Sequence, residues 1–208
     1  MYKTFVKRLI DIILSACGIV LLTPVWLILA VAIKVDDPGP VFFRQKRFAQ
    51  DKNGERQFFK IYKYRSMQMC TPKDCPTHLL NNPEQYITKV GGFLRKTSLD
   101  ELPQIFNIFL GQMSIIGPRP ALWNQDDLYA ERAKYGANAV KPGLSGWAQI
   151  NGRDELPIEV KACYDGQYVE RMNFRFDCKC FFSTFTSVLK RDGVVEGGTG
   201  TMKKENSK

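Results

Sequence analysis

The sequence predicts a mixed α/β protein, helix-rich with one small β-hairpin, behind a membrane-associated N-terminal segment. Three observations carry that fold class. Residues 12–33 run for 22 positions without a charge. Two segments rich in aromatic and β-branched residues, 41–48 and 56–67, flank Asn53-Gly54. Apolar residues recur at helical spacing over 98–110 and 174–189. The boundaries that follow are a membrane segment at 1–38, a body at 39–195 and a Gly/Lys-rich tail at 196–208.

Lys3, Lys7 and Arg8 precede the uncharged run, and Lys34 follows it. About 20 residues at about 1.5 Å rise cover the roughly 30 Å hydrocarbon core, so the run is long enough for a membrane helix. Three topologies fit it: a spanning anchor, a signal peptide with Ala30-Val31-Ala32 as its cleavage site, or a bent helix that re-enters the same leaflet. A signal peptide's apolar region covers only about 7–15 residues, which argues against the second. Thr23-Pro24 supports the third. A mid-helix proline removes one backbone hydrogen bond and clashes with the preceding turn, and Thr23 stands ready to bond a freed carbonyl. Basic residues on both flanks suit two ends on one, cytoplasmic, side. The residues alone leave anchor and re-entrant helix both open.

Asp36-Asp37-Pro38-Gly39-Pro40 ends this segment as a turn. Asn53-Gly54 is the strongest short hairpin signal, although its flanks lengthen the connection beyond two residues. Residues 68–85, with Thr71-Pro72 and Asn82-Pro83, read as a mobile loop. A helix is predicted over 98–110, stopped by Gly111, with Leu102, Ile105, Phe106 and Phe109 on its apolar face. The C-terminal helix carries a stripe of Phe174, Cys178, Phe181, Phe182, Phe185, Val188 and Leu189, flanked by Arg175, Lys179, Lys190 and Arg191. It suits a membrane interface or a core equally. Between the two helices the sequence offers tight turns: Gly117-Pro118-Arg119-Pro120, Lys141-Pro142-Gly143 and Asn151-Gly152-Arg153.

At 44% apolar and 25% charged, the 208 residues are neither a disordered tail nor a multi-span membrane protein. Thirty basic against 21 acidic residues leave a net charge of +9, which points to an anionic partner: nucleic acid, an acidic membrane surface or a phosphorylated substrate. The six cysteines form no C-x-x-C pair and read as scattered reduced thiols. Cys70, Cys75 and His78 fall short of a zinc site, because His78 is the single histidine and a fourth ligand would have to come from afar.

The chemistry concentrates in Thr97-Ser98-Leu99-Asp100-Glu101-Leu102-Pro103. Ser98 with Glu101 matches a capping box, yet Pro103 is comfortable only in a first turn, so Asp100 competes with Ser98 as the cap. Either way two carboxylates occupy a helix's first turn, where the dipole keeps them ionised and welcomes a phosphate. One of them can then serve as a nucleophile, and the pair with phosphate oxygens suits Mg²⁺. Arginines on stiff loops fit the same chemistry. Arg119 is clamped between two prolines, Arg153 follows a tight turn, and Lys63 and Arg65 share one face of a strand. Each is otherwise a surface charge or an ion-pair partner. Lys63 and Arg65, interleaved with Phe59, Tyr62 and Tyr64, also suit single-stranded nucleic acid.

Taken in order, these pieces resemble the bacterial sugar transferases of the monotopic phosphoglycosyl transferase family, over nearly the whole chain. The matching residues are Lys7-Arg8-Leu9-Ile10-Asp11, the apolar run with Pro24, Phe43-Arg44-Gln45 and Tyr62-Lys63-Tyr64-Arg65-Ser66-Met67. Then come Ser98-Leu99-Asp100-Glu101-Leu102-Pro103-Gln104, Gly117-Pro118-Arg119-Pro120, Lys141-Pro142-Gly143 and Gly146-Trp147-Ala148-Gln149-Ile150-Asn151-Gly152-Arg153. Each is modest alone; the series in sequence order is highly specific.

The resemblance implies a re-entrant membrane helix broken at Thr23-Pro24, interfacial amphipathic helices, and a cytosolic catalytic domain in minimal form on the cytoplasmic face of the bacterial inner membrane. It implies transfer of a sugar phosphate from a UDP-sugar to polyprenyl phosphate, with UMP released. Asp100 would be the nucleophile, forming a covalent phosphosugar. Glu101 would assist as a base and, with Asp100, hold Mg²⁺. Lys63, Arg65, Arg119 and Arg153 would bind phosphates. The partners are donor, lipid acceptor and membrane, with a homodimer left open and nucleic acid not expected. Two departures stand out: threonine replaces the family's serine before Pro24, and Phe48-Ala49 stands where many members have glycine. Two rival functions make opposite predictions. A nucleic-acid-binding module predicts salt-dependent oligonucleotide binding, and a lipid-binding scaffold predicts that Asp100→Asn is neutral, since Asn caps as well as Asp.

Overall fold

The computed structural model describes residues 2–71, 82–152 and 156–190. Arg153, Cys75, His78, the middle of the 68–85 loop and the tail at 196–208 lie outside the described residues. The chain forms two compact units, Met1–Arg47 with Phe58–Ser114, and Phe48–Gln57 with Ile115–Lys208. Helices dominate both, with two small two-stranded sheets.

In the first unit a π-helical turn, Tyr2–Val6, leads into α1 (Lys7–Leu21). The helix breaks at Leu22 and continues as α2 (Thr23–Asp36) after a 61° bend. Pro24 lies in the first turn of α2, where a missing N–H leaves nothing unpaired, and Thr23 Oγ1 donates to Ile19 O at 2.9 Å. Among the described residues no single helix is long and apolar enough to cross a membrane, whereas the bent pair together meets that length and composition.

Both helices of this pair leave large apolar residues exposed, and in α1 the buried residues are polar. Helix α1 buries Asp11 and Ser15 while Leu9, Ile13, Leu14, Val20 and Leu21 are 46–76% exposed. Helix α2 turns Trp26, Leu29 and Ile33 inward and exposes Leu27, Ile28, Val31 and Val35. A soluble surface helix does the reverse of α1. The buried polar groups are satisfied: Ser114 Oγ donates to Asp11 Oδ1 at 3.1 Å, tying α1 to the strand segment at 114, and Ser15 Oγ bonds back within the helix to Asp11 O at 2.5 Å.

The hairpin pairs β1 (Phe42–Phe48) with β2 (Phe58–Tyr64). The connection between the strands is longer than two residues, as expected, and within it Lys52 and Glu55 form an isolated bridge around a two-residue tip of Asn53 and Gly54, at φ 54° and 80°. Both central residues are left-handed, as a tight hairpin turn with the native strand twist requires. Phe48 is buried in the second unit and donates its N–H to Ala121 O at 3.0 Å. The loop expected at 68–85 is partly structured: Pro83–Tyr86 is a 3₁₀ turn, and Met67 bridges Ile87.

Helix α3 (Lys89–Thr97) starts at Thr88, whose side chain accepts from Gly91 N, and packs on α2. Gly91 is obligatory there, since a Cβ would lie 2.0 Å from Ser66 O. The single helix expected over 98–110 is instead two pieces. Ser98, at φ 57°, is the left-handed C-cap of α3, Leu99–Glu101 is a 3₁₀ turn, and α4 (Gln104–Phe109) follows. Ser98 makes no side-chain cap hydrogen bond to the turn that follows it, so it is not the expected N-cap. Pro103 explains the division: it has no N–H for Leu99 O, which bonds Leu102 N instead, so the first turn tightens. Of the expected apolar face, Leu102, Ile105 and Phe106 join the core of Trp26, Leu29, Ile33, Tyr64 and Leu94, while Phe109 is 43% exposed.

In the second unit β3 (Ser114–Ile116) pairs with β4 (Gly143–Ser145). Helices α5 (Asp126–Ala133), α6 (Trp147–Ile150), α7 (Ile158–Arg171) and α8 (Phe174–Lys190) pack around it. A buried ion pair staples α5 to α7, Arg132 Nε donating to Asp165 Oδ2 at 2.7 Å. Burial pushes the Asp165 carboxyl upward, against the pull of Arg132 and Lys161. In α8 Asp177 and Cys180 are buried, and of the apolar stripe Phe174 and Phe182 are 54% and 67% exposed.

Candidate functional site

The expected carboxylate pair and the β2 lysine come together in the first unit. Strand β2 runs beside the 3₁₀ turn, and Lys63 Nζ stands 2.9 Å from Glu101 Oε1 and 3.8 Å from Asp100 Oδ2. All three side chains are partly shielded, at 19%, 18% and 13% exposure for Lys63, Glu101 and Asp100, so their charges are screened less than surface charges would be. The turn holds its carboxylates by its ends. Ser98 closes α3 with its N–H bonded to Arg95 O, and Leu99 and Leu102 anchor the segment in the core.

Arg65 goes elsewhere. Its Nη1 donates to Asp37 Oδ2 at 2.5 Å and its Nη2 to Asp37 O, the residue that ends α2. Met69 N also donates to Asp37 Oδ2, at 3.1 Å. Lys63 and Arg65, read as neighbours on one strand face, therefore serve different partners.

Arg119 lies in the second unit, half-buried between two buried prolines. Its loop is built by backbone packed on backbone. Gly117 N donates to Ser145 O and Gly143 N to Pro118 O, both at 2.8 Å. A Cβ on Gly117 would fall 2.5 Å from Lys141 O, and one on Gly146 2.0 Å from Gly117 O. The structure thus brings the described parts of three separated motifs, at 117–120, 141–143 and 146–152, together, with glycines where nothing larger fits. Asn151 donates to Trp147 O at 2.7 Å, and Gly152 has φ 136°. Gln149 is buried at 8% exposure, and neither end of its carboxamide has a hydrogen-bond partner among the described residues.

Two positioning groups escaped the sequence reading. Asn107 is fully buried. Its Oδ1 accepts from Tyr62 N at 2.9 Å, and its Nδ2 donates to Lys60 O at 2.9 Å and Gln112 Oε1 at 2.7 Å. It thereby satisfies the free edge of β2 on both sides of Ile61, two residues before Lys63, and fixes the strand to the helix that follows the carboxylates. Arg8, part of a recognised motif without an assigned role, donates from Nη1 to Ile108 O at 2.6 Å and from Nη2 to Phe109 O at 2.7 Å. It caps the C-terminus of α4 from α1. A mid-helix asparagine was the one signal that could have pointed to Asn107.

Chemically, the cluster joins two carboxylates to an ammonium that can move to phosphate oxygens. Residues 2–191 match the family described as bacterial sugar transferase. The chain is 40% identical over 185 residues to a UDP-glucose:undecaprenyl-phosphate glucose-1-phosphate transferase of Escherichia coli, covering 86% of this chain and 39% of that protein. It is 33% identical over 204 residues to an undecaprenyl-phosphate galactose phosphotransferase of Salmonella typhimurium, covering 91% and 42%. To the exopolysaccharide production protein ExoY of Rhizobium meliloti it is 33% identical over 201 residues, covering 90% and 87%. The chain spans 39–40% of the length of the glucose-1-phosphate transferases it matches. With the family matched across nearly all of its residues, the chain belongs to the bacterial sugar transferases.

Proposed function

We propose that the chain transfers a sugar phosphate from a UDP-sugar to undecaprenyl phosphate through a covalent aspartyl phosphosugar, releasing UMP, as the first membrane step of surface glycan assembly. The observation that carries this reading is the cluster of Lys63 with Glu101 at 2.9 Å and Asp100 at 3.8 Å, on the residues that the sequence singled out for phosphoryl transfer. The names of the relatives supply the classes of donor and acceptor.

In this reading an Asp100 carboxylate oxygen attacks the sugar-bearing phosphorus, and the bond to the bridging oxygen breaks, so UMP leaves with that oxygen. An oxygen of the lipid phosphate then attacks the same phosphorus and expels the Asp100 carboxylate, giving a polyprenyl diphosphate sugar. Glu101 accepts the proton of a monoprotonated lipid phosphate. Lys63, released from the carboxylates, meets phosphate charge, with Arg119 and Arg153 as further phosphate ligands. The supported role of Arg65 is to hold Asp37 at the end of α2.

Mg²⁺ fits this donor set. Two adjacent hard carboxylates suit an ion that takes few protein ligands and completes its shell with phosphate and water, and no group of three or more His, Cys, Asp or Glu gathers among the described residues. Bound there by Asp100 and Glu101, it would neutralise diphosphate charge. The exposed apolar residues of α1 and α2, with the bend at Thr23-Pro24, support a re-entrant anchor in the cytoplasmic leaflet of the inner membrane. The exposed Phe174 and Phe182, beside exposed Arg175 and Lys179, support α8 as an interfacial helix.

The test is the intact mass of nanodisc-held protein after incubation with UDP-glucose, UDP-galactose and other UDP-sugars, with Mg²⁺ and no lipid acceptor. A gain of one sugar phosphate in the wild type and not in Asp100→Asn is expected, followed by its loss on adding undecaprenyl phosphate. UMP release without an adduct would remove the covalent step, and neither product from any donor would overturn the transferase.

A further inference from the structure

The first unit holds a groove of about 290 Å³ lined by Phe42, Arg44, Tyr62, Pro103, Phe106 and Leu110. One wall is the hairpin. Phe42 and Arg44 alternate onto the same face of β1, Phe42 stacks on Tyr64 at 5.4 Å, and the Arg44 guanidinium lies 5.0 Å from the centre of the Tyr62 ring. The other wall is Pro103, Phe106 and Leu110, spaced i, i+3, i+7 along one side of α4 and its C-cap. The groove therefore begins beside the residue that follows Asp100-Glu101-Leu102 and ends at Leu110, which is 61% exposed. At that end Arg8 fastens the last carbonyls of α4 to α1, the half of the bent pair whose apolar side faces outward.

Resting on the proposed transferase reading, we infer that this groove seats the first isoprene units of the polyprenyl phosphate acceptor, with Arg44 as the cation for its phosphate. Charge complementarity and continuity argue for that occupant. The lining is aromatic and aliphatic except for one guanidinium and one phenol, which matches a hydrocarbon chain ending in an anion. A nucleobase would need several placed donors and acceptors, and the backbone N–H of Tyr62 is already given to Asn107. The volume lies at the low end for ligand sites, about 300–1,000 Å³, so it holds the head of a long lipid and leaves the rest to the bilayer. The groove also runs from the carboxylate turn to the membrane-facing helices, the path such a lipid must take.

The experiment uses the full chain in nanodiscs of phosphatidylethanolamine and phosphatidylglycerol, with a diazirine-bearing polyprenyl phosphate as probe. Peptide mass spectrometry should place the label on 42–44 and 103–110. Excess undecaprenyl phosphate should suppress it and added phosphatidylglycerol should not. Label elsewhere, or equal suppression by phosphatidylglycerol, overturns the assignment. In turnover, Arg44→Ala should raise the KM for undecaprenyl phosphate about tenfold, the loss expected for one charge-assisted contact. Leu110→Gln, at an exposed position that leaves folding intact, should raise it in the same direction. A rise confined to the KM for the UDP-sugar overturns the groove as an acceptor site. If the wild type transfers no sugar phosphate, the transferase reading fails by itself, and the labelling pattern still decides the groove.

Discussion

Asn107→Ala tests whether the lysine–carboxylate cluster is held by β2's anchorage on α4. The side chain has no exposure and makes three hydrogen bonds, to Tyr62 N, Lys60 O and Gln112 Oε1, at 2.9, 2.9 and 2.7 Å. At roughly 1 kcal/mol net for each bond, truncation costs about 3 kcal/mol. The Tyr62 N–H and Lys60 carbonyl would be left dry, which takes the loss toward about 5 kcal/mol. For a chain of this size that corresponds to a fall of about 10 °C or more in Tm. The freed edge is one residue from Lys63, whose separation of 2.9 Å from Glu101 depends on where β2 lies. The variant should therefore lose kcat about tenfold or more while the KM for the UDP-sugar changes little, because the affected geometry is that of the reacting groups. Differential scanning fluorimetry in detergent reads the first effect and UMP release the second. A melt within about 2 °C of wild type with kcat intact would refute the reasoning, and a lower Tm with unchanged kcat would reduce Asn107 to a structural bond.

Three further outcomes are expected. Burial raises the Tyr64 phenol from 10.0 to about 12. Because the folded value is the higher one, its contribution is fully present below pH about 10 and disappears as pH climbs toward about 12. The alkaline loss of up to about 2.7 kcal/mol should be absent from Tyr64→Phe in a Tm series across that range. Arg132→Ala or Asp165→Ala should each cost about 3–5 kcal/mol, since either leaves a charge unpaired at 5% or 0% exposure. The double variant should cost clearly less than both added together, and simple additivity would show that the pair does not couple. Ile28→Asp with Val31→Asp places charges on the outward side of α2, at positions 67% and 63% exposed. At about 2.5–3.5 kcal/mol per charge in a bilayer interior, the variant should fail to float with vesicles, and undiminished flotation would count against an embedded α2.

The sequence reading succeeded where a local rule acted alone. Asn53-Gly54 dictated a left-handed turn whatever surrounded it, and Pro24 forced the 61° break. It missed where two elements compete for the same residues. Ser98 reads as an N-cap because its side chain can serve one, but α3 needed a C-cap first, and Ser98 took the left-handed conformation instead. In α8 the sequence left the stripe open between membrane interface and core; Phe174 and Phe182 are exposed, and the inner side is secured by Asp177, whose Oδ1 lies 2.8 Å from the Tyr168 hydroxyl, and by Cys180. Periodicity reports that an apolar face exists; it does not say whether protein or lipid covers it.

The site divides along the same line. That Asp100, Glu101 and Lys63 gather was foreseeable from their residue types, and they do lie together. The pairing of Arg65 with Asp37 was not foreseeable, because its partner is 28 residues away in sequence and belongs to the end of α2. Asn107 shows the limit most clearly. The apolar stripe of Leu102, Ile105 and Phe106 marks the side of α4 that packs into the core, and Asn107 falls off that stripe, where a short helix is expected to meet water. Strand β2 lies there instead, and an unpaired strand edge cannot be buried against an aliphatic side chain without leaving its N–H and C=O unsatisfied. A carboxamide is the side chain that offers both a donor and an acceptor in the backbone's own geometry. The polar residue on the apparently wet side of α4 is thus a requirement of placing a two-stranded hairpin against a helix, and the position of Lys63 follows from meeting it.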